Sequence, residues 1–168
     1  GHALSVNTKA LELLNITAQT PQPEGGEIVL EDGIPNGVFL DSAMELVLFQ
    51  IPLPDKETVK EMLRLSCQEL NRRGITSCHS DDFSTFQNLP WQIVVDAYKE
   101  MEADGELTVR VYEQANFTNV PDLAQFVESG NVTGAGTDSF KIGPLKMLGD
   151  GALGARTAYL TNPYADDP

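Results

Sequence analysis

The sequence predicts an α/β fold built on parallel strands, and the order of its apolar patterns is the first reason. From residue 55 onward helix-period and strand-period segments alternate, helix, strand, helix, strand, helix, strand. Such alternation implies parallel strands joined by helical crossovers. A second reason is composition. Hydrophobic residues make up 41% of 168 residues, enough for a packed core. A third is length. About three β/α units cannot close a barrel that takes about 250 residues and eight strands, so the expected architecture is an incomplete parallel array. Residues 1–54 differ in character, with short helices and a hairpin. They read as an inserted segment or subdomain, and 55–168 as the β/α segment.

Each element has a local cause. NTKALELL, residues 7–14, reads as a short helix that Asn7 or Thr8 can cap, with Leu11 and Leu14 on one face. TAQTPQPEGGE follows as a loop, marked by its prolines and glycines. EIVLEDGIPNGVFL reads as a hairpin, because Asp32-Gly33 supplies a positive-φ turn between apolar flanks. SAMELVLF is a second helix, with Asp41 available as its cap and Pro52 and Pro54 beyond its end. DKETVKEMLRLSCQELNRRG is the clearest helix. Val59, Met62, Leu63, Cys67 and Leu70 recur at spacings of three and four. Acids crowd its start, Arg72 and Arg73 its end, and Gly74 stops it. A short strand is expected at Ile75 to Cys78, running into the polar tip His79-Ser80-Asp81-Asp82. Residues 90–104 read as a helix opened by Pro90 and closed by Gly105. LTVRVYEQ is a strand, VPDLAQFVES a short helix, GNVTGAGTDS a loop and FKIGPLKML a strand.

Charge narrows the partners. Acids outnumber bases 25 to 11, a formal net charge of −14. That balance repels nucleic acid and anionic membrane surfaces, and most of these acids are expected simply to be solvated. No apolar stretch approaches the ~20 residues that span a bilayer. The N-terminus lacks a basic region followed by an apolar one, so no secretory leader is expected. Two cysteines, Cys67 and Cys78, form no C-x-x-C pair and no disulfide scaffold. A reducing compartment follows, and the expected location is the cytoplasm. N-x-T triplets at Asn15, Asn116 and Asn131 are explained by chance.

Parallel α/β folds gather their sites at the carboxyl ends of strands. Two strand ends are polar here, His79 to Asp82 and Lys146 to Arg156. His79 either faces a metal or substrate, since neutral imidazole suits zinc, or is a loop histidine capped by nearby acids. Lys146 lies in the apolar run PLKML. It is either a lysine on a strand's polar face or a buried amine open to modification. GDGALGAR is glycine-rich but matches neither G-x-x-x-x-G-K-[ST] nor G-x-G-x-x-G. There is no G-x-S-x-G for a hydrolase elbow. With only His2 and His79, the chain cannot assemble a histidine-rich metal centre by itself.

GHALSVNTKAL, GITSCHSDD and LKMLGDGALGARTAYLTNPYADDP, in this order and spacing, resemble the amidohydrolase family 3 proteins. GGEIVLEDGIPNGVFLDSAMELV fits the same family between the first two motifs. The resemblance spans essentially the whole chain, and its last motif is the most specific. It implies a distorted (β/α)₈ barrel with a small β-rich subdomain, and hydrolysis of amide or related C–N bonds by metal-activated water. It also implies metals held by an H-x-H pair on the first strand, histidines on the fifth and sixth and an aspartate on the eighth. A lysine or an acid at the end of the fourth strand would bridge two metals, the lysine as its carbamate, and Lys146 stands where that strand is expected. The H-x-H pair, the later histidines and the aspartate are absent from this sequence. The resemblance therefore implies an internal piece of a longer enzyme, holding roughly the second to fourth barrel strands and inactive alone.

On this resemblance His2, Asn7, His79, Asp150 and Arg156 are the candidate substrate-binding residues. Asn7 serves equally as a helix cap, and Arg156 equally as a tie from the glycine loop to an acid. Gly1-His2 is either a cloning scar or native, and its fit to the motif favours native. The intact enzyme would use a divalent metal, zinc by preference, and a small-molecule substrate. No metal is expected in this chain alone. The rival expectation is a stand-alone binding module without chemistry. As a fragment, the chain would self-associate through exposed strand edges.

Overall fold

The computed structural model describes residues 2–86, 88–117, 119–154 and 156–166. Gly1 of the Gly1-His2 pair and Thr118 of the Asn116 triplet lie outside these residues. The chain forms two compact units, Gly1–Pro52 with Leu148–Pro168, and Leu53–Met147. Among the described residues no helix is long and apolar enough to cross a membrane.

The first unit is built on an antiparallel sheet of β1 (Ala3–Ser5), β3 (Ile34–Asp41) and β2 (Gly26–Glu31), in that spatial order. Helix α1 (Thr8–Leu13) is capped by Asn7, whose side chain accepts from the Ala10 N–H at 3.0 Å. The hairpin is as expected. Asp32 and Gly33 have φ of 51° and 79°, and Glu31 pairs directly with Ile34 across them. Strand β1 was not expected from the sequence. The expected helix over SAMELVLF is broken in two, a 3₁₀ turn at Ser42–Met44 and the single turn α2 (Glu45–Leu48). Asp41 does not cap it, because its carboxylate is engaged elsewhere. Ile16, Ile28, Phe39 and Ala43 form the buried core.

In the second unit, β4 (Ser77–Ser80), β5 (Arg110–Asn116) and β6 (Phe140–Lys146) form a parallel sheet in the order β4-β5-β6. Helix α3 (Lys56–Arg72) precedes β4, α4 (Trp91–Ala103) connects β4 to β5, and α5 (Val120–Glu128) connects β5 to β6. Asp55 caps α3 by accepting from the Thr58 N–H at 2.8 Å. Strand β4 begins two residues later than expected. Its polar residues are held by the ladder to β5 rather than by their own propensity. β5 is likewise shifted towards Asn116, and β6 ends at Lys146.

One sheet face carries the core. Val111, Ala115, Phe140 and Ile142 pack against Val94, Val95 and Tyr98 of α4, with Tyr98 stacked on Phe140 at 4.7 Å. Phe83, Trp91 and Phe126 close one end as an aromatic cluster, with Trp91 and Phe126 edge-to-face at 5.0 Å. Phe126 is almost fully buried and touches both other rings. Phe126→Ala is therefore expected to cost about 3–5 kcal/mol, read as a lower urea midpoint at unchanged m-value.

A register shift in the β5–β6 pairing decides the site. Lys141 pairs with Tyr112, on the face opposite the core. Strict alternation would put Lys146, five residues on, on the core face. The shift between Glu113 and Ala115 instead pairs Lys146 with Asn116 and brings it to the open face. Gly143 lies within this shift, where a Cβ would come within 2.8 Å of the Glu113 carbonyl.

Candidate functional site

At the carboxyl ends of the parallel strands, Lys146 and Asn116 are the last residues of β6 and β5, and Asp81 follows β4. The Lys146 ammonium donates to Asp81 Oδ2. Asn116 Nδ2 donates to the same oxygen at 3.3 Å and to Ser84 Oγ at 3.0 Å. The hydrogen bond from Lys146 holds the Asp81 carboxyl below the ordinary range, against the opposing effect of partial burial. His79 occupies the same sheet face further down β4. It is exposed, with its ring edge-on to Tyr112 at 5.1 Å.

Beneath this rim, on the core side, lies a buried acid that the sequence reading missed. Glu113 is fully buried, and its Oε1 accepts the Asp82 N–H at 2.6 Å. Among the described residues its Oε2 has no partner. Burial, followed by the charge of Asp82, pushes its carboxyl up to about 9. Asp82 in turn accepts from Ser80 Oγ at 2.6 Å and from the Tyr98 hydroxyl. Burial and Asp82 drive the Tyr98 hydroxyl well above its usual value. Glu113 and Asp82 thus anchor the 3₁₀ turn Asp82–Ser84, which immediately follows Asp81. A signal for Glu113 existed. In VRVYEQA it falls in phase with Val109, Val111 and Ala115, all buried.

The other candidates belong to the first unit. His2 and Asp150 come together, lining an open cleft of about 280 Å³ with Gly25, Asp41, Gly151 and Thr157. His2 Nδ1 lies 2.9 Å from Asp41 Oδ1. Asp150 accepts the Tyr159 N–H at 3.0 Å, which folds the glycine loop back on itself. Arg156 forms an ion pair with Asp166 at 2.7 Å, the tie to an acid that was one of its two expected roles. Asn7 is engaged as the α1 cap. Among the described residues, no group of three or more His, Cys, Asp or Glu side chains is placed to hold a metal ion.

Helices alternating with a parallel sheet, and a polar rim at its strand ends, define an α/β protein of the kind that carries chemistry at that edge. Residues 1–168 match the amidohydrolase family, and the chain belongs to it. The chain is 33% identical over 169 residues to the "Putative amidohydrolase YtcJ" of Bacillus subtilis (strain 168), covering 99% of this chain and 30% of that protein. It is 25% identical over 175 residues to the protein LONG AFTER FAR-RED 3 of Arabidopsis thaliana, covering 100% of this chain and 29% of that one. Among solved structures it resembles an uncharacterized metal-dependent hydrolase from Pyrococcus horikoshii OT3, with a TM-score of 0.61 and 24% identity, over 99% of this chain and 31% of that one. This last likeness bears on the fold alone. The chain thus spans about 30% of the length of the relatives it matches.

Proposed function

We propose that this chain is part of a metal-dependent hydrolase that cleaves amide or other C–N bonds of small molecules, and that β4, β5 and β6 are consecutive strands of a (β/α)₈ barrel. The observation that carries this is Lys146, brought by a register shift onto the open sheet face at the strand ends, within a chain that belongs to the amidohydrolase family.

The residues present fit one corner of a metal site. Lys146 as a neutral amine adds to CO₂, forming an N–C bond and releasing a proton, and the resulting carbamate offers two oxygen ligands of the kind divalent metals take. The remaining ligands would come from sequence outside this chain, because among the described residues no group of three or more His, Cys, Asp or Glu side chains is placed to hold a metal ion. The metal, zinc by preference, would supply Lewis acidity and lower the pKa of its water to about 7. Within this chain, Asp81, itself held by Asn116, would bind Lys146 only while it is the ammonium of the metal-free form. His79 faces the same side of the sheet and would contact substrate. Within the first unit, His2, Asp150 and Arg156 would bind substrate, and Asn7 would hold the start of α1. The chain alone is not expected to catalyse.

The test is an assay of the longer native protein against N-acyl amino acids and N-substituted formamides. Activity is expected to vanish on chelation and to return with a divalent metal. Activity that survives exhaustive chelation, or binding of these compounds without turnover, would point to a binding module instead.

A further inference from the structure

Asp41 has a backbone that residues with a Cβ rarely adopt, with φ of 47° and ψ of −124°. Glycine reaches this region without strain. An aspartate kept there needs a reason, and its side chain shows one. Its Oδ1 meets His2 Nδ1 at 2.9 Å, with both side chains half-buried. The main chain makes a separate link, Asp41 N–H to the His2 carbonyl at 3.1 Å. The strand edge is therefore joined without the carboxylate, which acts on the ring alone.

A carboxylate at Nδ1 fixes the hydrogen on that nitrogen and leaves Nε2 with its lone pair. Among the described residues Nε2 has no hydrogen-bond partner, and His2 lines the cleft that also holds Asp150. A Cβ at Gly151 would meet the Thr157 carbonyl at 2.2 Å, so these two lining residues approach as closely as glycine allows. The geometry points to Asp41 as a positioning residue, which holds His2 so that Nε2 accepts a hydrogen bond from an N–H of a ligand in this cleft. The ligand class is a small molecule with a donating N–H, such as an N-acyl amine. This last assignment rests on the amide-hydrolase proposal, whereas the His2–Asp41 pair does not.

The variant that separates role from structure is Asp41→Gly, which relieves the backbone and removes the carboxylate together. Nitrogen-15 NMR of the chain is direct, because His2 and His79 are its only histidines. At alkaline pH the His2 ring is expected in its Nδ1–H form. In Asp41→Gly and Asp41→Asn it should move towards the Nε2–H form usual for free imidazole side chains. Asp41→Gly is also expected to match or exceed the parent in its urea midpoint. An unchanged His2 tautomer in Asp41→Gly would overturn the pairing. A lowered midpoint would show that the aspartate is kept for stability. In the intact enzyme, Asp41→Gly should raise KM for N-acyl amino acids about tenfold, the equivalent of one hydrogen bond of about 1.4 kcal/mol, with kcat little changed. A fall in kcat at constant KM would exclude a binding role. If the intact enzyme hydrolyses none of these compounds, the amide proposal fails, and the tautomer and the midpoint still decide the pair.

Discussion

Replacing Glu113 by glutamine is expected to remove most of the protein's loss of stability between about pH 5 and about pH 9. The sign follows from where the proton sits. In the unfolded chain a glutamate ionises near 4.5, whereas in the folded protein Glu113 stays protonated up to about 9. Between these values the native state binds one proton more than the unfolded state. Stability is then fully present below about pH 4.5 and falls as pH rises, by up to about 1.4 kcal/mol per pH unit. Other shifted groups act outside this window. The carboxyls of Asp55, Asp81, Glu100 and Asp166 are lowered and act below it. The thiols of Cys67 and Cys78 and the hydroxyl of Tyr98 are raised, and act from 9.0 and 10.0 upwards. Glu113→Gln has no proton to lose, so its urea midpoint should stay nearly level from pH 5 to pH 8.5. Its absolute stability at pH 5 should fall modestly, because the new amide is left without a described partner. A level profile for the parent protein would show that Glu113 is ionised when folded, and would remove the buried acid from the account of the rim.

The same carboxyl shows how far the sequence could be read. Several signals with a local cause were legible. Asn7 caps α1, Asp32-Gly33 turns the hairpin, and the spacing of Val59, Leu63 and Cys67 gives α3 its inner face. β1 was not legible, because three residues become a strand only through pairing with β3, more than thirty positions away. The displaced start of β4 has the same origin. Lys146 was legible as a lysine at a strand end. Its partner Asp81 lies 65 residues away, and a register shift that decides which face it occupies leaves no mark in composition. Glu113 could have been found by phase. Asp41 could not, since a non-glycine residue forced into a glycine conformation is invisible until the backbone is seen.

Replacing Lys146 by alanine in the intact enzyme is expected to reduce kcat/KM by about 10³-fold, together with a loss of bound metal. On the proposed role, Lys146→Ala would remove a ligand of the metal and forfeit several kcal/mol of transition-state stabilisation, and each 1.36 kcal/mol is tenfold in rate. A structural role for the lysine predicts much less. Its contact with Asp81 is a single ion pair with about a third of the side chain exposed, and such pairs are worth about 0–1 kcal/mol. Chemical rescue separates the two. In Lys146→Ala the space of the missing carbamate is open, and a short carboxylic acid such as propionate, supplied with the metal, should restore part of the activity. Propionate cannot replace an ammonium facing Asp81, because it carries the opposite charge. Asp81→Asn gives a complementary reading. As an ammonium, Lys146 is attracted to Asp81; as a carbamate it would be repelled by it. Asp81→Asn should therefore weaken the ion pair of the metal-free chain while leaving the metal-loaded enzyme the better part of its metal. Full activity in Lys146→Ala, or rescue by an alkyl amine instead of a carboxylate, would mean that the lysine acts through its positive charge and not as a metal ligand.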